Sequence, residues 1–217
     1  MVQFYPVGVV AGTGLRENAP VKLFVAIVPP QSAVQELAAA VRPLHALPQA
    51  AAVRWTGLPT WHLTLAFLGQ VADEELPGLE WGLAAAAAGQ PEFGLRLGGG
   101  GRFGDRALWA GVRGDTAALG RLAGAAADAA ERAGIGTDDR PFTGHLTLAR
   151  SSIPRGGDDR GGHRRGQGGA PDLAPLADAL AGFQGEPWRV STLELMHSQP
   201  GPGPKRYETV AAWPLRG

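Results

Sequence analysis

Five consecutive residues, His62-Leu63-Thr64-Leu65-Ala66, return unchanged as His145-Leu146-Thr147-Leu148-Ala149. Each copy contains one of only five histidines in the chain. An identical stretch returning once reads as an internal duplication. Side chains alternate faces along a strand, so within each copy His and Thr share one face and the two leucines take the other. The leucines anchor each strand on a core. The His and Thr are presented together on the opposite face.

The flanking sequence repeats in outline as well. VKLFVAIVPP reads as a buried strand ended by two prolines. QSAVQELAAAVRPLHAL places Val34, Leu37, Ala38, Val41 and Leu44 at helical spacing, with Ser32 as N-cap and Pro43 closing the helix. AVRWT and WHLTLAFLG are strands, and Asp73 to Ala88 is a helix weakened by Pro77 and Gly82. FGLRLGGGGRF and ALWAGV form a hairpin. TAALGRLAGAAADAAERAG is a helix capped by Asp115 or Thr116, with Gly134 after its end. PFTGHLTLAR is a strand and 172–183 a short helix. PWRVSTLELMHS and RYETVAAWPL complete the strands. Strand–helix–strand–helix–strand therefore occurs twice, and short turns between strands favour antiparallel or mixed pairing. The expected fold is α+β: two pseudo-symmetric lobes, each a mainly antiparallel sheet with helices outside, and a cleft between them. The lobes are drawn at roughly 21–106 and 107–214 of one domain spanning 21–214.

Composition refines this outline. The chain has 217 residues, 33 Gly and 18 Pro. Residues 1–20 form an irregular leader, without the features of a signal peptide. The segment RGGDDRGGHRRGQGGA, 155–170, cannot bury enough surface to offset its ordering entropy and reads as a mobile loop. QPGPGP at 199–204 is a second, stiffer loop. No apolar run approaches the ~20 residues needed to span a bilayer. A cytoplasmic monomer with no membrane association and no obligate protein partner is expected. Twenty Lys and Arg balance twenty Asp and Glu, which argues against binding along a duplex. Residues 140–165 nonetheless carry six Arg against two Asp, beside the second motif.

If the lobes face each other, both His-Thr pairs meet in one cleft. Imidazoles can donate or accept protons near pH 7, and threonine hydroxyls can bond anionic oxygens. A tetrahedral phosphate fits such a symmetric clamp. No cysteine is present, which removes thiolate nucleophiles and Cys-based zinc sites. No H-E-x-x-H, H-x-H or carboxylate cluster accompanies the two histidines, so neither a metal nor a cofactor is expected. GGGG at 98–101 lacks the Lys-Ser/Thr of a phosphate loop and reads as a hairpin or bulge. His45 and His163 read as structural or solvated. His197 reads as a strand residue beside a loop, Asp138-Asp139 as a turn, and Trp61 as interstrand packing.

KLFVAIVPP, RWTGLPTWHLTLAFLG, LWAGV, FTGHLTLAR and LELMHSQPGPGPKRYETVAAWPL together resemble the two-histidine phosphoesterase superfamily. Within it, they resemble the RNA 2′,3′-cyclic phosphodiesterases, also named bacterial 2′-5′ RNA ligases. The resemblance implies metal-independent opening of a 2′,3′-cyclic phosphate to a 2′-phosphate, on RNA 3′ ends or cyclic nucleotides. It implies His62 as general acid and His145 as general base, with Thr64 and Thr147 on the nonbridging oxygens. Arg150 matches a family arginine near the phosphate, although alone it reads as a surface charge. Phe24 matches an aromatic lining the cleft, although core packing explains it equally. A reversible 2′-5′ RNA ligase and a noncatalytic RNA-end binding module are the alternatives.

Overall fold

The computed structural model describes residues 21–137, 140–152, 172–199 and 205–217. The leader, the Asp138-Asp139 turn, the Gly-rich loop with His163, and 200–204 of the second loop lie outside the described residues.

Strand β1 (Val21–Ile27) leads through Pro30 into helix α1 (Gln31–Val41). Pro30 itself occupies the N-cap position, so Ser32 falls inside the first turn and makes no side-chain cap. Pro43 ends the α-helical geometry, as its ring and missing N–H require, and the chain continues as a 3-10 turn over Arg42–Ala46. Short β2 (Val53–Trp55) and long β3 (Leu63–Val71) follow, then α2 (Leu76–Gly89). The hairpin β4 (Phe93–Phe103) and β5 (Ala107–Gly114) precedes α3 (Thr116–Arg132). Asp115 caps α3 by accepting from the Ala118 N–H at 2.8 Å, and Gly134 adopts φ +86° beyond its end. Then come β6 (His145–Ser151) and α4 (Ala174–Ala179). Last come β7 (Trp188–Val190), β8 (Thr192–Gln199) and β9 (Arg206–Pro214).

PWRVSTLELMHS is therefore two strands rather than one. β7 pairs with β4, whereas β8 pairs with β1, at opposite ends of the sheet. The break falls at Ser191, whose carbonyl instead accepts from the Leu215 N–H.

All pairings between named strands are antiparallel, in the order β7-β4-β5-β6-β3-β1-β8-β9, with β2 added on β6. The two motif strands are central neighbours, yet they share a single register pair, Leu63 opposite Leu146. About that seam the sheet is pseudo-symmetric: β3 matches β6, β1 matches β5, β8 matches β4 and β9 matches β7. The lobes in space are not consecutive halves of the chain. β4, from the first half, builds the β6 side, while β8 and β9, from the second half, build the β3 side.

The motif leucines fill the core as their alternation predicts. Leu63, Leu146 and Leu148 are fully buried and Leu65 nearly so, each burial contributing about 2 kcal/mol. Helices α2 and α3 cover the β3 side, α4 the β4–β5 side. Close backbone approach explains part of the glycine surplus. A Cβ on Gly82 would lie 2.8 Å from that of Ala129 where α2 crosses α3. In the GGGG run, Gly99 takes φ +72° at a break in the β4–β5 register, so the bulge reading holds.

Candidate active site

His62 stands immediately before β3 and His145 opens β6, so the central seam brings the two imidazoles to one cleft. That cleft has a volume of about 1110 Å³, and its lining includes His62, Thr64, His145, Thr147, Arg150 and Phe24. Every residue singled out as a site candidate in the sequence thus faces the same cavity. Phe24 is also 5% exposed, so it both packs and lines. Its ring lies 4.7 Å from that of His62, centroid to centroid.

Both histidines are oriented by the same device. His62 Nδ1 lies 2.8 Å from the Thr60 carbonyl oxygen, and His145 Nδ1 lies 2.7 Å from that of Thr143. A carbonyl only accepts, so Nδ1 donates and Nε2 keeps its lone pair for the cavity. The repeat therefore extends to Thr-x-His-Leu-Thr-Leu-Ala, and the two preceding threonines were legible in the sequence. The residue between differs for a steric reason. Trp61 is buried, with its Nε1–H donating to Thr56 Oγ1 at 3.0 Å. A Cβ at Gly144 would lie 2.8 Å from both Leu119 and Val112, leaving no room for a side chain.

Aromatic rings hold each imidazole. Tyr207 meets both His62 and Phe24 edge-on, with centroids 5.0 Å apart in each case. Phe103 meets His145 edge-on at 4.8 Å, and Trp109 lies 6.1 Å away. Thr56 ties the two motifs together: its hydroxyl lies 2.9 Å from the Thr147 carbonyl and 2.8 Å from that of Leu148, and it accepts from Trp61. Sequence reasoning missed Tyr207, Phe103, Trp109 and Thr56, because only long-range pairing brings them here.

A second omission has a local cause. The β1–β3 register slips twice, so Val25 faces Ala66 while Ala26 faces Thr64. Strict alternation from His62 would bury Phe67. The irregularity turns Phe67 into the cleft, 52% exposed, and buries Leu65, Ala66 and Leu68. The other two described histidines lie elsewhere. His45 stacks on Trp55 at 4.2 Å, and His197 pairs with Leu23 in the sheet without lining the cavity.

The cleft is electropositive. Burial drives the His62 pKa down to about 4, helped by the charges of His145, Arg150 and Lys205 and opposed by the Thr60 hydrogen bond. His145 is also lowered, first by burial and then by Arg150, against its bond to Thr143. Burial raises Tyr207, which Arg150 partly counters, so its hydroxyl keeps its proton. Among the described residues, no three His, Asp or Glu side chains converge as a metal ligand set. Nor is any helix there long and apolar enough to cross a membrane. Two neutral imidazoles with open Nε2 atoms, flanked by hydroxyls and a guanidinium, can move protons around a bound anion.

A family model described as LigT like Phosphoesterase matches residues 27–114, which include the first motif. An RNA 2′,3′-cyclic phosphodiesterase of Escherichia coli is 36% identical over 136 residues, covering 62% of this chain and 74% of that protein. One from Geobacillus stearothermophilus is 34% identical over 167 residues, covering 75% of this chain; the chain spans about half of that relative's length, 48%. The crystal structure of E. coli LigT complexed with 3′-AMP superposes with a TM-score of 0.69 at 28% identity, covering 91% of this chain and 99% of that one. On the sequence match to the E. coli relative and the shared α+β fold, the chain belongs to the LigT-like phosphoesterase family.

Proposed function

We propose that the protein hydrolyses the 2′,3′-cyclic phosphate of an RNA end or nucleotide to a 2′-phosphomonoester, by acid–base catalysis between His62 and His145 without a metal. The observation that carries this reading is the paired device itself: two imidazoles in one cavity, each with Nδ1 tied to a carbonyl and a threonine two residues on. Two relatives named as RNA 2′,3′-cyclic phosphodiesterases, and a related structure with 3′-AMP bound, support the substrate class.

In this mechanism His145 Nε2 takes a proton from water, whose oxygen attacks phosphorus. The P–O3′ bond breaks, and His62 Nε2–H delivers its proton to the departing 3′ oxygen. The 2′-phosphate remains, held by Thr64, Thr147 and Arg150. Burial keeps His62 neutral in the empty cleft, so its proton must arrive with the anionic phosphate, which raises its affinity for a proton.

The opposite assignment, with His145 as acid and His62 as base, uses the same two imidazoles, both lowered by burial. A cyclic substrate with sulfur at the 3′ position separates the two assignments, since a thiolate leaves without a general acid. With His62 as acid, His62→Ala regains most of its loss on that substrate and His145→Ala does not; the opposite pattern exchanges the roles. Each variant should lose at least about 100-fold on the oxygen substrate. Phosphorus NMR in the presence of chelator tests the reaction: a 2′-phosphate is expected, and a 3′-phosphate or a metal requirement overturns the proposal.

A further inference from the structure

We propose that the cleft carries a second anion subsite at its mouth, formed by Lys22, Arg54 and Lys205, which takes a phosphate on the 5′ oxygen of the cyclic-ended nucleotide. The inference rests on the phosphodiesterase reading and deepens it. Among the described residues, the cavity lining includes Lys22, Arg54, Arg150, Lys205 and Arg206 but no Asp or Glu. A cyclic phosphodiester carries one negative charge, which Arg150 and two threonine hydroxyls suffice to meet. The remaining cations exceed what a lone cyclic phosphate requires.

Their layout is ordered. Arg150, three residues beyond Thr147, lines the cavity with both histidines, as does Lys205. Lys22, Arg54 and Lys205 line the same cavity at exposed positions, and Lys22 and Arg54 both act on the Lys205 amine. Lys22 comes from β1 and Arg54 from β2, on opposite sides of the central seam, and Lys205 stands at the entry to β9. The three therefore span the mouth from both sides.

Among the described residues, the arrangement sets like charges against one another. Arg54 stands directly opposite Arg150 in the β2–β6 pairing, and like charges in that position destabilise a sheet. Burial and three neighbouring cations lower the proton affinity of the Lys205 amine. Elsewhere arginines meet carboxylates, Arg102 with Asp105 and Arg189 with Glu92. A second anion relieves the repulsion. A phosphate on the 5′ oxygen lies one nucleoside away from the cyclic phosphate, and it occurs both in a strand and in a 5′-phosphorylated mononucleotide.

The test compares three cyclic-ended substrates: a mononucleotide with a free 5′ hydroxyl, the same with a 5′-phosphate, and a dinucleotide. Dissociation constants of the corresponding 2′-phosphate products are measured in parallel. The wild type should favour both phosphate-bearing ligands about tenfold, less so as salt rises. Lys22→Gln and Arg54→Gln, both at exposed positions, should each shrink that ratio. A gain confined to the dinucleotide but lost in these variants assigns the subsite to an internucleotide phosphate. A ratio near one, or a gain that both variants retain, overturns the subsite. Mononucleotide turnover with no binding preference removes the subsite alone; a binding preference without turnover removes the hydrolase reading alone.

Discussion

His62 couples catalysis and stability to the same proton. Its folded pKa of about 4 lies below the ordinary 6.5, so the unfolded chain binds a proton that the folded chain refuses. Stability is complete above pH 6.5 and declines as pH falls toward 4, by up to about 3 kcal/mol. Urea titrations of wild type and His62→Gln at pH 7 and 4.5 should show the smaller acid loss in the variant. Catalysis depends on the same residue differently. Both imidazoles titrate below 6.5 in the free protein, so kcat/KM should be bell-shaped with its centre on the acid side of 6.5. A bound phosphate draws both values upward, and the kcat bell should lie at higher pH. Coincident bells centred above pH 7 would contradict this electrostatic account. At this scale the sequence was informative: an exact repeat identified both histidines and both motif threonines. It gave no sign of Tyr207 or Lys205, which reach His62 only because β9 returns to the β1 side.

Elements hold these residues through a few close contacts. Thr56 Oγ1 bridges Trp61, beside the first histidine, to the carbonyls of the second motif strand. Thr56→Val keeps the shape but strands the Trp61 N–H, at a cost of about 1–3 kcal/mol. It should lower kcat more than it raises KM, because the imidazoles lose their fixed spacing while the cationic lining stays; an unchanged kcat would show that the bridge serves folding alone. Gly101 plays a similar part on the other side. A Cβ there would overlap the Trp109 ring, and Trp109 lies against His145 and Phe103. Gly101→Ala should destabilise by about 1–3 kcal/mol and shift the His145 NMR titration more than that of His62. Periodicity located nearly every helix and strand, since local spacing decides those. It fused β7 with β8 and did not reveal Phe67, because slips in register and changes of partner are set by the neighbouring strand.

Across the whole molecule, the central seam and the exchange of strands make the two motifs interdependent. His62 directly precedes one strand and His145 opens the other, and the two strands share one register pair, so the separation of the histidines is governed chiefly by what packs behind the sheet. Leu63 and Leu146 are both fully buried there. Leu146→Ala should cost about 2–5 kcal/mol. Fragments 21–106 and 107–214, made separately, should each lack a cooperative thermal transition, and mixing them should restore one along with turnover. An independently melting fragment would contradict the exchange.

That exchange also bears on how the chain acquires its shape. β1 is made well before β8, one of its two partners, with about 165 residues between them. Until residues 192–199 emerge, one edge of β1 has no strand to bond, and its apolar face awaits cover. Pairing over so long a separation is slow. The cleft that brings two imidazoles together is therefore completed only after residues 192–214 have been made. An unfinished chain would expose a sticky edge but no working pair of histidines.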